Sequence, residues 1–244
     1  MKQLITTILL SLFILTGCST TPNNPDDPWE GWNRGTQNFN DGVDDYVLNP
    51  LATGYLFITP QPVDTGITNF FSNIDDVSVT LNNLLQFKFV DASSDMARFL
   101  INTTAGIGGF IDVATMIDLT KHNEDFGQTL AVWGVPQGPY LVLPFAGPSS
   151  PRGTGGLVGD VLLDPITYTV FGNATVRVIG TAAKIVRTVD QRAGFKSTAG
   201  FLDEAALDRY SFIKNSYLQN REYLIMDGNV PDTDPFDPFI DYEE

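Results

Sequence analysis

The sequence is poor in nearly everything that reactive chemistry uses. Its 244 residues include one cysteine, Cys18, and one histidine, His122. A lone cysteine excludes an internal disulfide, and one thiol with one imidazole leaves too few ligands for a zinc site. A Ser-His-Asp triad would have to rest on His122, which stands between Lys121 and Asn123 in a polar stretch. There is no Gly-x-Ser-x-Gly elbow, because Ser149-Ser150 follows Gly147-Pro148 and runs into Pro151-Arg152. Asp125-Phe126-Gly127 spells part of a kinase signature without the glycine loop or catalytic loop that give it meaning, and Gly106-Ile107-Gly108-Gly109 reads as a turn. The expectation is no enzyme: no catalytic residue, no metal and no diffusible cofactor.

Charge is also scarce and of one sign. Charged residues make up 18% of the chain against about 25% in an ordinary soluble domain, and the net charge is −15. That balance excludes nucleic acid as a partner, since phosphate backbones need a basic surface. Strand signals are sparse too. The β-branched clusters at Leu141–Leu143 and Ile166–Val170 are short and isolated, with no train of alternating strands and turns around them.

What is present begins at the N-terminus. Lys2 precedes an apolar run from Leu4 to Leu15, too short for a membrane-spanning helix of about twenty residues and of the length of a signal peptide, residues 1–17. Leu15-Thr16-Gly17-Cys18 resembles the lipobox of bacterial lipoproteins, in which the cysteine is acylated and becomes the first residue. Cys18 is therefore the expected site of lipid attachment, that covalent lipid is the only non-protein group expected, and residues 18–26 form a lipidated linker. Several acyl chains anchor firmly, because each buried methylene contributes about 0.8 kcal/mol. In the lipoproteins this start resembles, a serine such as Ser19 after the cysteine favours the outer membrane. At the other end, seven acids and no base between Asp227 and Glu244 mark a solvated acidic tail.

Between these ends the charges come in clumps separated by charge-free stretches: 46–63, 77–87, 99–111, 127–151 and 165–176. The longest holds Pro136, Pro139, Pro144, Pro148 and Pro151, so no regular helix runs through it. Its centre, Tyr140 to Phe145, is too apolar for an exposed loop, and two environments fit: a soluble core, or membrane depth with protein around it. Helical spacing is clear elsewhere. Asp27-Pro28 reads as N-cap and first helical residue, followed by the stripe Trp29, Trp32, Phe39, Val43 and Val47. Val178, Ala182, Ile185 and Val189 form a second stripe within Ala174–Ala193, and Leu202, Ala206, Tyr210, Ile213 and Tyr217 a third. These stripes read as helix-packing faces. Further helices are predicted over Asp64–Ser72, Asp75–Phe87, Ser93–Thr103 and Glu124–Trp133. Arg177, Lys184, Arg187, Arg192 and Lys196 gather on one of these helices and its end, where they suit either a solvated face or lipid phosphates.

Several blocks, in collinear order, then resemble one family. Asp27-Pro28-Trp29-Glu30-Gly31-Trp32-Asn33-Arg34, Asn38-Phe39-Asn40, Asn69-Phe70-Phe71-Ser72-Asn73 and Leu84-Leu85-Gln86 resemble the opening blocks of the MlaA or VacJ lipoproteins. Arg98 to Thr104, running into Gly106–Ala114, and Glu124 to Leu130, running on through Trp133-Gly134-Val135 to Ser149-Ser150, are longer and more specific. The resemblance implies an all-α, single ring-shaped domain (27–226) lying in the inner leaflet of the outer membrane, with a central channel. It implies removal of phospholipids mislocalised to the outer leaflet, passed to a periplasmic carrier of the MlaC type beside a trimeric outer-membrane porin. A structural lipoprotein that braces porins and moves no lipid is the alternative. By position in the family, Tyr140, Leu141, Leu143 and Phe145 are channel or lipid-contact candidates, joined by Asn38 and Phe39. Arg177, Lys184 and Arg187 are the head-group candidates.

Overall fold

The computed structural model describes residues 27–196 and 208–229. The signal peptide, Cys18 and the linker, Leu202 and Ala206 of the third stripe, and the tail beyond Asn229 lie outside the described residues. The architecture is mostly helical. Helix α1 (Glu30–Val43) passes through a π-helical segment (Asp44–Leu48) into α2 (Asn49–Ile58), and α3 (Gln61–Leu85) follows after Thr59-Pro60. The chain continues through α4 (Phe89–Thr104), the short α5 (Val113–Met116) and α6 (Phe126–Val132) to a hairpin of β1 (Leu141–Leu143) and β2 (Gly147–Ser149). After it come α7 (Pro151–Leu163), a 3₁₀ segment (Pro165–Phe171), α8 (Ala174–Gly194) and α9 (Arg209–Ile225).

Local chemistry sets most of these boundaries. Asp112, Asp125, Ser150, Asn173 and Asp208 each accept a backbone N–H at the start of a helix, and Pro151 occupies the first position of α7. Two predicted boundaries change. Asp27 is not the cap of α1. The helix starts at Glu30, and the Asp27 carboxylate is buried, taking hydrogen bonds from Asn33 (3.2 Å), the Tyr210 hydroxyl (2.6 Å) and Lys214 (3.0 Å). The helices predicted over Asp64–Ser72 and Asp75–Phe87 are one continuous helix, α3, because Asn73-Ile74 carries neither proline nor glycine to end the first. The β-branched cluster near Ile166 is 3₁₀ and not strand, whereas Leu141–Leu143 does pair, antiparallel, with Leu141 opposite Ser149 and Leu143 opposite Gly147.

The interior inverts the expected distribution of polarity. Among the described residues ten hydrophobic side chains are buried against eighteen polar or charged ones. Helices α3 and α4 run antiparallel and are held by hydrogen bonds between asparagines and their opposite helix: Asn83 to Asp95 (2.8 Å) and Asn73 to Thr103 (2.9 Å). Arg98, 1% exposed, reaches from α4 to the turn around α5. It donates to both Asp112 oxygens (3.1 and 3.0 Å), to Thr115 (3.2 Å) and to the Leu119 carbonyl. Lys121 reaches the buried Asp76 of α3. Gln86 joins Glu124 (2.7 Å) and Thr129 (3.2 Å), tying α3 to α6.

The apolar stripes face outward. Trp32 (51%), Phe39 (47%) and Val47 (49%) are exposed, while Asn33, Thr36 and Gln37 form the buried face of α1. In α8, Val178 and Ile185 are exposed, and Gly180, Asp190 and Ala193 are buried. The assignment of these two stripes to packing faces is therefore corrected: the helices are present, but their apolar sides meet the surroundings. Only the third stripe turns inward, through Tyr210, which packs with Tyr140 and Val142.

Helices α6 and α7 approach closely through glycine. A Cβ on Gly156 would lie 2.7 Å from the Gly127 backbone, and one on Gly159 would lie 2.2 Å from the Phe126 ring. Gly156→Val is expected to destabilise the fold by about 2–3 kcal/mol through overpacking. Thermal unfolding in detergent checks this; a melting temperature within a degree of wild type would show that the helices separate freely.

Candidate functional site

The close approach of α6 and α7 shapes one wall of a cavity of about 600 Å³. Helix α3 contributes Asp75, Ser78 and Val79, and the entry to α6 contributes Glu124, Asp125 and Gln128. Helix α7 adds Leu157, Asp160 and Val161, α8 adds Lys184 and Arg187, and Leu224 of α9 closes part of the rim. A second cavity of about 110 Å³ shares Asp125, Leu157 and Asp160 with the first and reaches Ser149, Tyr217 and Arg221. The larger lining is amphipathic: aliphatic side chains of α3, α7 and α9 stand beside five carboxylates and two cations.

Most of these charges are paired. Arg187 bridges Asp75 and Asp164, at 3.4 Å from the latter. Lys88 holds Glu124 at 2.9 Å, and Arg221 forks onto Asp125, with one N–O distance of 3.0 Å. Burial raises the Asp75 and Glu124 carboxyls against the pull of Arg187 and Lys88. Burial would also raise Asp125, but the Arg221 hydrogen bonds outweigh it and hold the carboxyl below its usual range.

Asp160 differs from the rest. Its carboxylate accepts the Phe126 N–H at 2.7 Å, and no salt bridge reaches it among the described residues. Burial first, and then the neighbouring Asp125, push it up to about 6, against the Phe126 hydrogen bond and the charge of Arg221. A carboxyl raised in the folded state favours folding below its unfolded value and loses that contribution as pH rises through about 6. Asp160→Asn is therefore expected to match wild type near pH 4 and to exceed it by about 1–2 kcal/mol at pH 7.5, allowing for partial solvent screening. Melting curves at the two pH values check it; an equal or lower stability at pH 7.5 would contradict the assignment.

The residues singled out from sequence separate into two places. Lys184 and Arg187 line the larger cavity, whereas Arg177 is exposed on the first turns of α8 away from it. Tyr140, Leu141, Leu143, Phe145, Asn38 and Phe39 gather where the hairpin docks on α1, and none of them lines either cavity. Tyr140 is buried against Tyr210 and Tyr217, Leu141 and Leu143 are half-buried, and Asn38 is exposed. Phe39 and Phe145 meet edge to face at 5.1 Å on the surface. Asn33 bonds the Tyr140 carbonyl and the Val142 N–H, and Asn40 the Leu143 carbonyl and the Phe145 N–H, at 2.8 to 3.0 Å. Sequence reasoning passed over Asp75, Asp125, Asp160, Asp164 and Gln128 as cavity residues. The one available signal was Glu124-Asp125 within the long Glu124–Leu130 block.

His122 pairs with Asp95 at 3.0 Å and lies 3.8 Å from Asp91, and among the described residues no hydroxyl hydrogen-bonds to it. Ser150 caps α7, and Ser149 bonds within the same turn. No group of three His, Cys, Asp or Glu side chains is placed to hold a metal, and no helix is long and apolar enough to cross a membrane, among the described residues.

The sequence pattern of the MlaA lipoproteins matches residues 25–224. The chain belongs to the MlaA lipoprotein family. A relative from Escherichia coli K12, named intermembrane phospholipid transport system lipoprotein MlaA, is 30% identical over 94% of this chain and 92% of its own. The MlaA of Haemophilus influenzae is 35% identical over 93% of this chain and 92% of its own. An uncharacterised protein of Rickettsia felis is 34% identical, covering 80% of this chain and 76% of its own. A chain solved in work on the structural basis for maintenance of bacterial outer membrane lipid asymmetry superposes with a TM-score of 0.69. It is 32% identical and covers 82% of this chain and 98% of that one. MlaA membership accounts for both the helical architecture and the collinear sequence blocks.

Proposed function

We propose that this chain removes mislocalised phospholipids from the outer leaflet of the outer membrane and hands them to a periplasmic carrier, thereby maintaining lipid asymmetry. One observation carries the reading: a charged, water-compatible cavity, open to one side, is lined by helices that expose many large apolar side chains. An amphiphile needs both features, an apolar setting for its tails and a polar route for its head. The names of the curated relatives and the subject of the superposable structure support the same conclusion.

In this reading the protein is anchored by lipid on Cys18 and lies in the inner leaflet as a ring, with the cavity as part of its central channel. Trimeric porins are its lateral neighbours, and a soluble carrier of the MlaC type receives the lipid on the periplasmic face. The chain lowers a kinetic barrier to lipid movement and performs no bond chemistry, and its only non-protein group is the covalent lipid. The hairpin residues Tyr140, Leu141, Leu143 and Phe145, with Asn38 and Phe39, border the membrane side of this device, and Lys184 and Arg187 meet the phosphate. A porin brace would need the apolar exterior but no interior cavity.

Deleting the gene and measuring phospholipid in the outer leaflet tests the proposal. Surface phospholipid is expected to rise and to fall again when the wild-type chain is restored. Unchanged surface phospholipid in the deletion would favour the brace and overturn lipid transfer.

A further inference from the structure

Among the described residues, the cavity lining leaves one charge of each sign without an ionic partner. Arg187 is shared by Asp75 and Asp164, Lys88 holds Glu124, and Arg221 holds Asp125. After these pairings Lys184 retains only a hydrogen bond to the Thr167 hydroxyl at 3.3 Å, and Asp160 only the Phe126 N–H. A third group points to a ligand independently. Gln128, 2% exposed, donates through its amide nitrogen to the Asn123 carbonyl at 3.0 Å, and its carbonyl oxygen Oε1 has no partner among the described residues. Gln128 lines the same cavity as Asp160 and Lys184. A buried acceptor left unfilled is costly, so the site offers one cation and one carboxylate at its surface, and a second acceptor just beneath it that a small side-chain movement would open.

We infer that this cavity selects phospholipids with a zwitterionic, amine-bearing head group, the phosphate meeting Lys184 and the ammonium meeting Asp160 and the Gln128 carbonyl. The inference rests on the lipid-transfer reading and names its substrate class. An ammonium has three N–H donors, enough to serve a carboxylate and an amide oxygen at once. An anionic lipid whose head ends in hydroxyl groups supplies the phosphate but no positive charge. It enters a lining with five carboxylates to two cations and leaves the Asp160 charge uncompensated.

The probe is a mixture of phosphatidylethanolamine and phosphatidylglycerol with matched acyl chains, offered in vesicles to the purified, lipidated full-length protein. Lipid retained by the protein is quantified by mass spectrometry. The expected result is an enrichment of the amine-bearing lipid of about five- to tenfold over its share in the vesicles, the range that a single charge-assisted contact produces. Asp160→Asn keeps an acceptor for the Phe126 N–H, so the fold persists. It is expected to bring the enrichment to near unity. Retention of both lipids in vesicle proportion by the wild type, or enrichment of the anionic lipid, would overturn the selectivity and leave lipid transfer standing. Undiminished enrichment in Asp160→Asn would overturn the assignment of the ammonium. Retention of neither lipid by wild type would contradict the transfer reading itself.

Discussion

Replacing Arg98 with Met is expected to cost about 3–5 kcal/mol and to leave little folded protein. The guanidinium is one of the least exposed groups in the molecule and meets four acceptors on the segment between α4 and α6: two oxygens of Asp112, the Thr115 hydroxyl and the Leu119 carbonyl. Asp76 stands 3.8 Å away as a second counter-charge. Burial alone would raise the Asp112 carboxyl, yet its bonds from Thr115, Asn102 and Arg98 hold it down at about 2, the signature of a carboxylate organised as an anion. Methionine fills most of the volume but supplies neither charge nor donor, so the buried Asp76 loses a counter-charge and the partly exposed Asp112 loses its fork, and removing one member of such a cluster is costly. Arg98→Lys is expected to rescue only in part, since one ammonium cannot present the fork that spans Asp112 and Leu119. The contrast is Arg177→Met, on the exposed start of α8, expected to lie within about 0.5 kcal/mol of wild type. Unfolding by denaturant in detergent measures all three.

The converse change, charge placed on the outside, is expected to spare the fold and remove its attachment. Phe57 and Ile58 end α2 at 89% and 76% exposure, and Tyr46, Val47 and Leu51 on the preceding turns are exposed as well. They touch too little protein to stabilise it. Within hydrocarbon each aspartate would cost up to about 3 kcal/mol, falling toward the interface, so Phe57→Asp with Ile58→Asp is expected to weaken vesicle binding at least about tenfold. Cys18→Ser provides the background, because the acyl anchor would otherwise mask the effect. Flotation with liposomes reads it: the Cys18→Ser protein is expected to float and the triple variant to remain at the bottom, with identical melting curves. Equal flotation would show that this patch does not meet lipid.

These two changes mark where the sequence was legible and where it was not. The helical period of Trp29, Trp32, Phe39, Val43 and Val47 located α1 correctly, because period follows from backbone geometry. The same period reads as a packing face, whereas the structure turns it outward. Periodicity says that one face differs from the other, not which face turns outward. Asp27 was read as a cap because its neighbours in sequence are Pro28 and Trp29. Its partners, Tyr210 and Lys214, lie 183 and 187 residues away, beyond any local rule.

The site divides in the same manner. Lys184 and Arg187 could be found from their clustering on one predicted helix, and both line the cavity. The carboxylates facing them come from α3, α6 and α7 and share no spacing pattern, so only the fold unites them. Gln128 carries its signal in a missing partner, which no sequence displays. The centre of the charge-free, proline-rich stretch, 140–145, was legible as non-helical, and the expected burial holds at Tyr140 and Val142 but not at Phe145. It is a two-stranded hairpin that α1 grips through Asn33 and Asn40, with the Phe145 side chain projecting outward at 76% exposure.

The central claim, that the helices turn apolar faces toward acyl chains around a polar interior, can be read from the protein's own fluorescence. Trp29, Trp32 and Trp133, the chain's three tryptophans, are exposed at 39, 51 and 51%. In vesicles of phospholipid brominated along the acyl chains their emission is expected to be strongly quenched, while iodide in the water quenches little. Emission indifferent to bromine and readily quenched by iodide would place those faces in water and contradict the account.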